Sequence, residues 1–144
     1  MDRWIREQRG QSLVEFALAL PVLLVLLLGL ADFGRAFYYT STIANAARAG
    51  AEYAARATVA SPNTAFSNQI KLKVCNETGL VPYNDASSCS TSPIDVPSAQ
   101  FGPGQDAVVT VTYNFQPVSA YLVSRIVGTP TLLLRATATF PSLN

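Results

Sequence analysis

The 144-residue chain contains no histidine. Ser-His-Asp and Cys-His nucleophile systems and histidine-ligated metal centres are therefore excluded. Charge is scarce as well: Asp, Glu, Lys and Arg make up 13% of the chain, a low share for a soluble domain. With a net charge of +1, nothing suggests nucleic acid or an acidic partner. There is no glycine-rich phosphate loop, and Gly102-Pro103-Gly104 is expected to be a simple turn. Glu77, Asp85, Asp95 and Asp106 are scattered through loop-like stretches and lack the spacing of a calcium loop. No cofactor is implied, and the protein is not expected to be an enzyme.

Apolar residues, by contrast, make up 49% of the chain, and they are concentrated. No charge occurs from Phe16 to Ala31, where Leu and Val dominate. Extended back to Gln11, the run would make about 31 Å of helix at about 1.5 Å per residue. That matches the roughly 30 Å hydrocarbon core of a bilayer. The head before it, MDRWIREQRG, carries Arg3, Arg6 and Arg9 against Asp2 and Glu7, and so is net basic. From Gln11 onward seven basic residues balance seven acidic ones. The positive-inside rule keeps the basic head in the cytoplasm and exports the remainder. A cleaved secretory signal fits less well than an anchor. The apolar core is too long, and LLGLADFGRAFYY offers a poor small-x-small site after it.

Neither reading explains Glu15. A carboxylate inside a membrane segment costs free energy, less near the ends than at the centre, and by default marks a functional site. The plainer alternative is a hydrated residue at the cytoplasmic interface.

Two cysteines, Cys75 and Cys89, lie in the exported part, separated by a stretch rich in Asn, Gly, Pro and Ser. In an oxidising compartment a disulfide closing this loop is expected, contributing about 3 kcal/mol on the loop-entropy account. The other possibility is two buried free thiols.

Between Asp32 and Ala60 there is no proline and alanine abounds, so the helix should run on past the apolar segment to about Thr58. Phe33, Phe37, Ala44, Ala47, Ala51 and Ala55 fall on one side of it. Glu52 and Arg56 stand at i, i+4 in the favourable order. Pro21 should bend the apolar section. The small residues from Ala44 to Ala57 suit either close approach by another helix or packing on a small sheet. Ser61-Pro62 ends the pattern. Residues 63–78 fit both a strand and a helix; the Pro62 start favours a helix stopping at Gly79. Residues 79–104 are expected to be loop. Just upstream of them, Asn76-Glu77-Thr78 formally matches a glycosylation acceptor, a triplet common by chance. From Ala107 the period becomes two: Val109, Val111, Tyr113 and Phe115 face one way, Thr110, Thr112 and Asn114 the other. A short helix over 118–127 should pack through Tyr121, Leu122 and Ile126. A second strand over 131–140 should pair antiparallel with the first. Two strands alone are marginal, so the helix and the bridge are needed, or further strands come from the loop region. The expected fold is α+β: a long N-terminal transmembrane, pilin-like helix packed on a small antiparallel sheet.

A basic leader ending in Gly10, then Gln11, Glu15 at the fifth position, Phe16 at the sixth and an apolar helix, resembles the processing site of type IV prepilins. More closely, residues 9–55, RGQSLVEFALALPVLLVLLLGLADFGRAFYYTSTIANAARAGAEYAA, resemble the TadE-like family, minor pilins or pseudopilins of the tight-adherence (Flp, type IVb) pilus system. The likeness rests on Val14-Glu15-Phe16-Ala17, Pro21, the run Asp32 to Ala36, and the run Ala47 to Ala51. It implies that a membrane prepilin peptidase cuts between Gly10 and Gln11 and creates a new α-amino group on Gln11. It implies too that Glu15 attracts the amine of a neighbouring subunit. Gln11 stands where the best-known pilins carry phenylalanine; the glycine before the cut is the demanding position.

The resemblance divides the chain into a cytoplasmic leader (1–10), a transmembrane segment (11–31), the exported half of the helix (32–60) and a head (61–144). The implied partners are the prepilin peptidase, other pilin or pseudopilin subunits, the Tad secretion machinery and membrane lipid. The implied place is the inner membrane in a single pass, with the C-terminus extracytoplasmic, and an extracellular fibre beyond it. The competing reading is an uncleaved, membrane-anchored extracytoplasmic binding domain. A pseudopilin of a secretion machine is not separable from a pilus subunit by sequence alone.

Overall fold

Alanine- and leucine-rich sequence without a helix breaker other than Pro21 forms a single helix, α1, from Arg3 to Arg56. At 54 residues it is about 80 Å long. A computed structural model describes residues 3–56, 63–79, 94–102, 104–121, 128 and 131–141. The chain forms two units: Met1–Arg35 with Pro117–Pro130, and Ala36–Gln116 with Thr131–Asn144.

The second unit joins residues 36–56 of α1 to most of the expected head, without residues 117–130. Its helix α2 spans Thr64–Thr78. Asn63 caps it, its side chain accepting the backbone N–H of Phe66 at 2.7 Å, so the start lies one residue past the expected proline. Gly79 ends it in the left-handed conformation, φ 62°, which costs other residues strain. The helical reading of residues 63–78 is thus the observed one. Asn76-Glu77-Thr78 forms the last turn, and Thr78 is buried with its hydroxyl donating to the Cys75 carbonyl at 2.6 Å. That is not the exposed loop a glycosylation acceptor needs.

The sheet has three strands, β1 (Ile94–Gly102), β2 (Gln105–Phe115) and β3 (Leu132–Phe140), antiparallel in that spatial order. The β2–β3 pair is regular from Ala107 opposite Phe140 to Phe115 opposite Leu132. The stretch expected to be loop therefore contributes a strand, β1. Proline obscured it: Pro97 falls where the β1 register shifts, between Asp95 and Ser98, on an edge strand. An edge bulge tolerates a residue without an N–H, and a sequence pattern cannot show that. The third strand, rather than the bridge alone, is what completes the marginal two-stranded sheet.

Ala107, Val109, Val111 and Phe115 of β2 are buried, while Tyr113 is partly so and stacks on Tyr39 of α1 with ring centres 4.6 Å apart. From α1 the core takes Ile43, Ala46, Ala47, Ala51, Ala54 and Ala55, and from α2 Phe66, Ile70 and Val74. The buried stripe thus begins at Ile43. Ala47, Ala51 and Ala55 lie on it as expected, Ala44 is half-buried, but Phe33 and Phe37 are each 70% exposed. Apart from Tyr39 and Ile43, small residues define the packed side of α1, and they let α2 and the sheet approach closely. Both alternatives for the alanine-rich half hold at once. It receives a helix and a sheet.

Tyr121, expected as a packing residue, is 77% exposed, in a helical stretch described over residues 119–121. Leu122 and Ile126 lie outside the described residues.

Candidate functional site

Of the residues picked out from the sequence, Gly10, Gln11, Glu15, Phe16 and Pro21 lie along the N-terminal part of α1, and all five face outward. Gly10 sits inside the helix, where glycine costs about 1 kcal/mol relative to alanine. A Cβ placed on it would meet no atom within 4 Å. Packing within the chain therefore does not call for glycine at this position. Gln11, Glu15, Phe16 and Pro21 are exposed, and α1 continues through Pro21 without ending. Among the described residues no basic side chain pairs with Glu15; the ion pairs present are Asp32–Arg35, Glu52–Arg56 and Glu77–Lys73. The apolar stretch is of a length and composition to cross a membrane, and none of its most apolar window is buried within the chain. One N-terminal helix therefore suffices as a span, with Glu15 near one end of it.

At the other end stands a residue whose role the sequence concealed. Asp32 is only 7% exposed. Its Oδ1 accepts the N–H of Val118 at 2.7 Å and its Oδ2 the N–H of Ser119 at 2.8 Å. These are amides at the start of the helical stretch that begins at Ser119, which have no partner inside it. Arg35, one helical turn on, also donates to Oδ1 at 3.4 Å. A carboxylate receiving several donors is stabilised in its charged form. The Ser119 hydroxyl above all, then the Ser119 and Val118 amides and the Arg35 charge, hold the Asp32 carboxyl below its ordinary value of 3.8, against the opposing effect of burial. The signal available in the sequence was a lone carboxylate at the end of an apolar run. Its partners, 86 and 87 residues away, were not legible.

A depressed folded-state value means the contribution is fully present above the ordinary value and is lost as pH falls through the lower, folded one. At pH 7 the protection of the Val118 and Ser119 amides against hydrogen exchange is expected to fall at least tenfold in Asp32→Ala, since hydrogen bonds to a charged group are each worth about 1.5–3 kcal/mol. In the parent chain the same protection should weaken only in acid below about pH 4. Unchanged protection in the variant would remove the structural role assigned to Asp32.

Cys75 is fully buried on α2 and is not a free thiol, while Cys89 lies outside the described residues, as does the loop expected to join them. Among the described residues no group of three or more metal-ligating side chains comes together.

Residues 10–52 match the family model described as TadE-like protein. The match begins at the glycine of the expected processing site and takes in Glu15, Pro21, Asp32 and Gly50. No curated protein and no solved structure matches the chain.

Proposed function

We propose that this protein is a minor pilin or pseudopilin of a Tad-type (Flp, type IVb) pilus, acting in assembly of the fibre for surface adhesion. A prepilin peptidase cuts it between Gly10 and Gln11. Before assembly it spans the inner membrane once through residues 11–31, with its N-terminus in the cytoplasm and its head outside. Its partners are other pilin or pseudopilin subunits and the Tad secretion machinery, and its role is structural rather than enzymatic. Cys75 and Cys89 pair in the exported head.

One observation carries the reading. The TadE-like match starts at Gly10, a glycine that helix propensity disfavours and that no packing in the chain requires. Recognition by a processing enzyme supplies the missing reason for it. The outward-facing Glu15 supports the same reading, because a membrane carboxylate lacking a partner within the described residues is suited to meeting one on another subunit. The head argues for a minor subunit, since it adds two more layers of structure to what a bulk helical subunit would need.

The test is the intact mass and N-terminal sequence of the membrane-extracted protein, prepared with and without the cognate prepilin peptidase. The expected mature chain begins at Gln11 only when the peptidase is present. A chain beginning at Met1 in both preparations would leave the alternative, an uncleaved anchored binding domain.

A further inference from the structure

We propose that the turn Val118–Tyr121 is a second membrane-contacting element, seated in the phospholipid headgroup layer where α1 leaves the hydrocarbon on the extracytoplasmic side. This rests on the reading of residues 11–31 as a membrane span. That segment matches the thickness of the hydrocarbon core, which sets Asp32 at its outer boundary. The two hydrogen bonds of 2.7 and 2.8 Å from Val118 and Ser119 then fix the turn at the depth of Asp32. In keeping with these bonds, Pro117–Pro130 groups with Met1–Arg35, the apolar part of the helix, and not with Ala36–Gln116 and Thr131–Asn144.

What the turn presents at that depth is chemically suited to the place. Ala120 is turned inward, while Val118 is 49% and Tyr121 77% exposed. A tyrosine with an apolar ring and a polar tip is favoured at the headgroup level. Phe33 adjoins Asp32, and Phe37 lies about 7.5 Å from Asp32 along the helix axis, at the outer edge of the roughly 5–7.5 Å of headgroup region on one side of a bilayer. Both rings face outward. The polar groups are also arranged for this boundary. The open amides of the turn and the charge of Asp32 satisfy one another, so neither is left bare beside lipid. In consequence, withdrawing the subunit from the membrane would require lifting this turn as well as α1.

The full chain, with Trp4→Phe to remove the native tryptophan, would carry Tyr121→Trp and be reconstituted in phosphatidylcholine vesicles. The reporter is expected to emit to the blue of aqueous tryptophan. It should be quenched more by lipid brominated close to the headgroup than by lipid brominated close to the chain ends. Val118→Trp should show the same ordering, and guards against a local effect of the first substitution. Val22→Trp, in the middle of the apolar run, should show the reverse ordering. Deep quenching at Val22→Trp with no quenching at either turn reporter overturns the interfacial element while the span stands. Blue emission at the turn without quenching means that protein covers it, and overturns the element too. Absence of quenching at Val22→Trp overturns the span, and with it this proposal.

Discussion

Gly50→Leu is expected to unfold the head, and Gly50→Ala to destabilise it by about 1–3 kcal/mol, the usual range for forcing extra volume into a packed core. A Cβ on Gly50 would lie 2.5 Å from Cγ2 of Val74 and 3.4 Å from Cγ1 of Val109. The first distance is well inside contact. Neither neighbour can swing away cheaply, because β-branched side chains are stiff at χ1, and Val74 is fully buried on α2. Helix propensity opposes the clash, since alanine is better than glycine in a helix by about 1 kcal/mol. The two effects predict opposite signs, which makes the measurement decisive. Hydrogen exchange of the α2 amides in the detergent-solubilised full chain would read the stability. Gly50→Ala should lower it, and adding Val74→Ala should recover part of the loss relative to Val74→Ala alone. Gly34 supplies the control. It lies in the same helix with nothing within 4 Å of a Cβ, so Gly34→Ala should be neutral or slightly stabilising. If Gly50→Ala stabilises by the amount expected at Gly34, the close approach of α2 to α1 is wrong.

The contrast between these glycines shows how far the sequence could be read. Gly50 was visible within the small-residue stretch Ala47 to Ala51, but nothing local told it apart from Gly34. The difference is made by Val74, 24 positions away in sequence and directly above it in the fold. Features with a local cause were legible: the long helix from its composition, β2 and β3 from their period of two, the stop of α2 from Gly79. The features that escaped depend on partners distant in sequence. β1 looks like loop because a proline and two register irregularities interrupt it, and only pairing with β2 makes it a strand. Asp32 belonged to a recognisable run, Asp32 to Ala36, yet its task is set by the amides of Val118 and Ser119. Phe33 and Phe37 obey helical spacing as well as Ala47 does, and periodicity cannot say that the fully buried stripe begins only at Ile43. In the candidate site the order was reversed. Gly10 and Glu15 were read from sequence, and the fold contributes the finding that intramolecular packing does not account for Gly10.

Glu15→Val is expected to leave membrane insertion intact and to reduce incorporation of the subunit into assemblies by on the order of 100-fold. The magnitude follows from the dielectric. A carboxylate and an amine about 4 Å apart attract by about 1 kcal/mol in water and by about 4 kcal/mol at the effective dielectric of a protein environment. The difference of about 3 kcal/mol corresponds to roughly two powers of ten in association. Desolvation of both groups offsets part of the gain, so the pair serves better to fix the register between subunits than to add affinity without limit. Insertion should become slightly easier, because a carboxylate is the least favourable residue in the segment and valine among the best. Glu15→Gln separates charge from shape. It keeps the length and one acceptor but not the charge, and should resemble Glu15→Val if attraction to the Gln11 amine is the mechanism. The readouts are the amount of protein in the washed membrane fraction and the amount crosslinked to partner subunits or recovered with sheared fibres. Equal membrane levels with loss of the second quantity in both variants is the expected pattern. Full incorporation of Glu15→Val would show that the carboxylate merely sits hydrated at the cytoplasmic face, and register would then have to come from another part of α1. Uncleaved protein supplies the last comparison. With Gly10 replaced by valine and the leader retained, Gln11 has no free amine, so adding Glu15→Val to that variant should cost nothing further. A pair of substitutions that fails to add in this way ties the carboxylate to the amine that processing exposes.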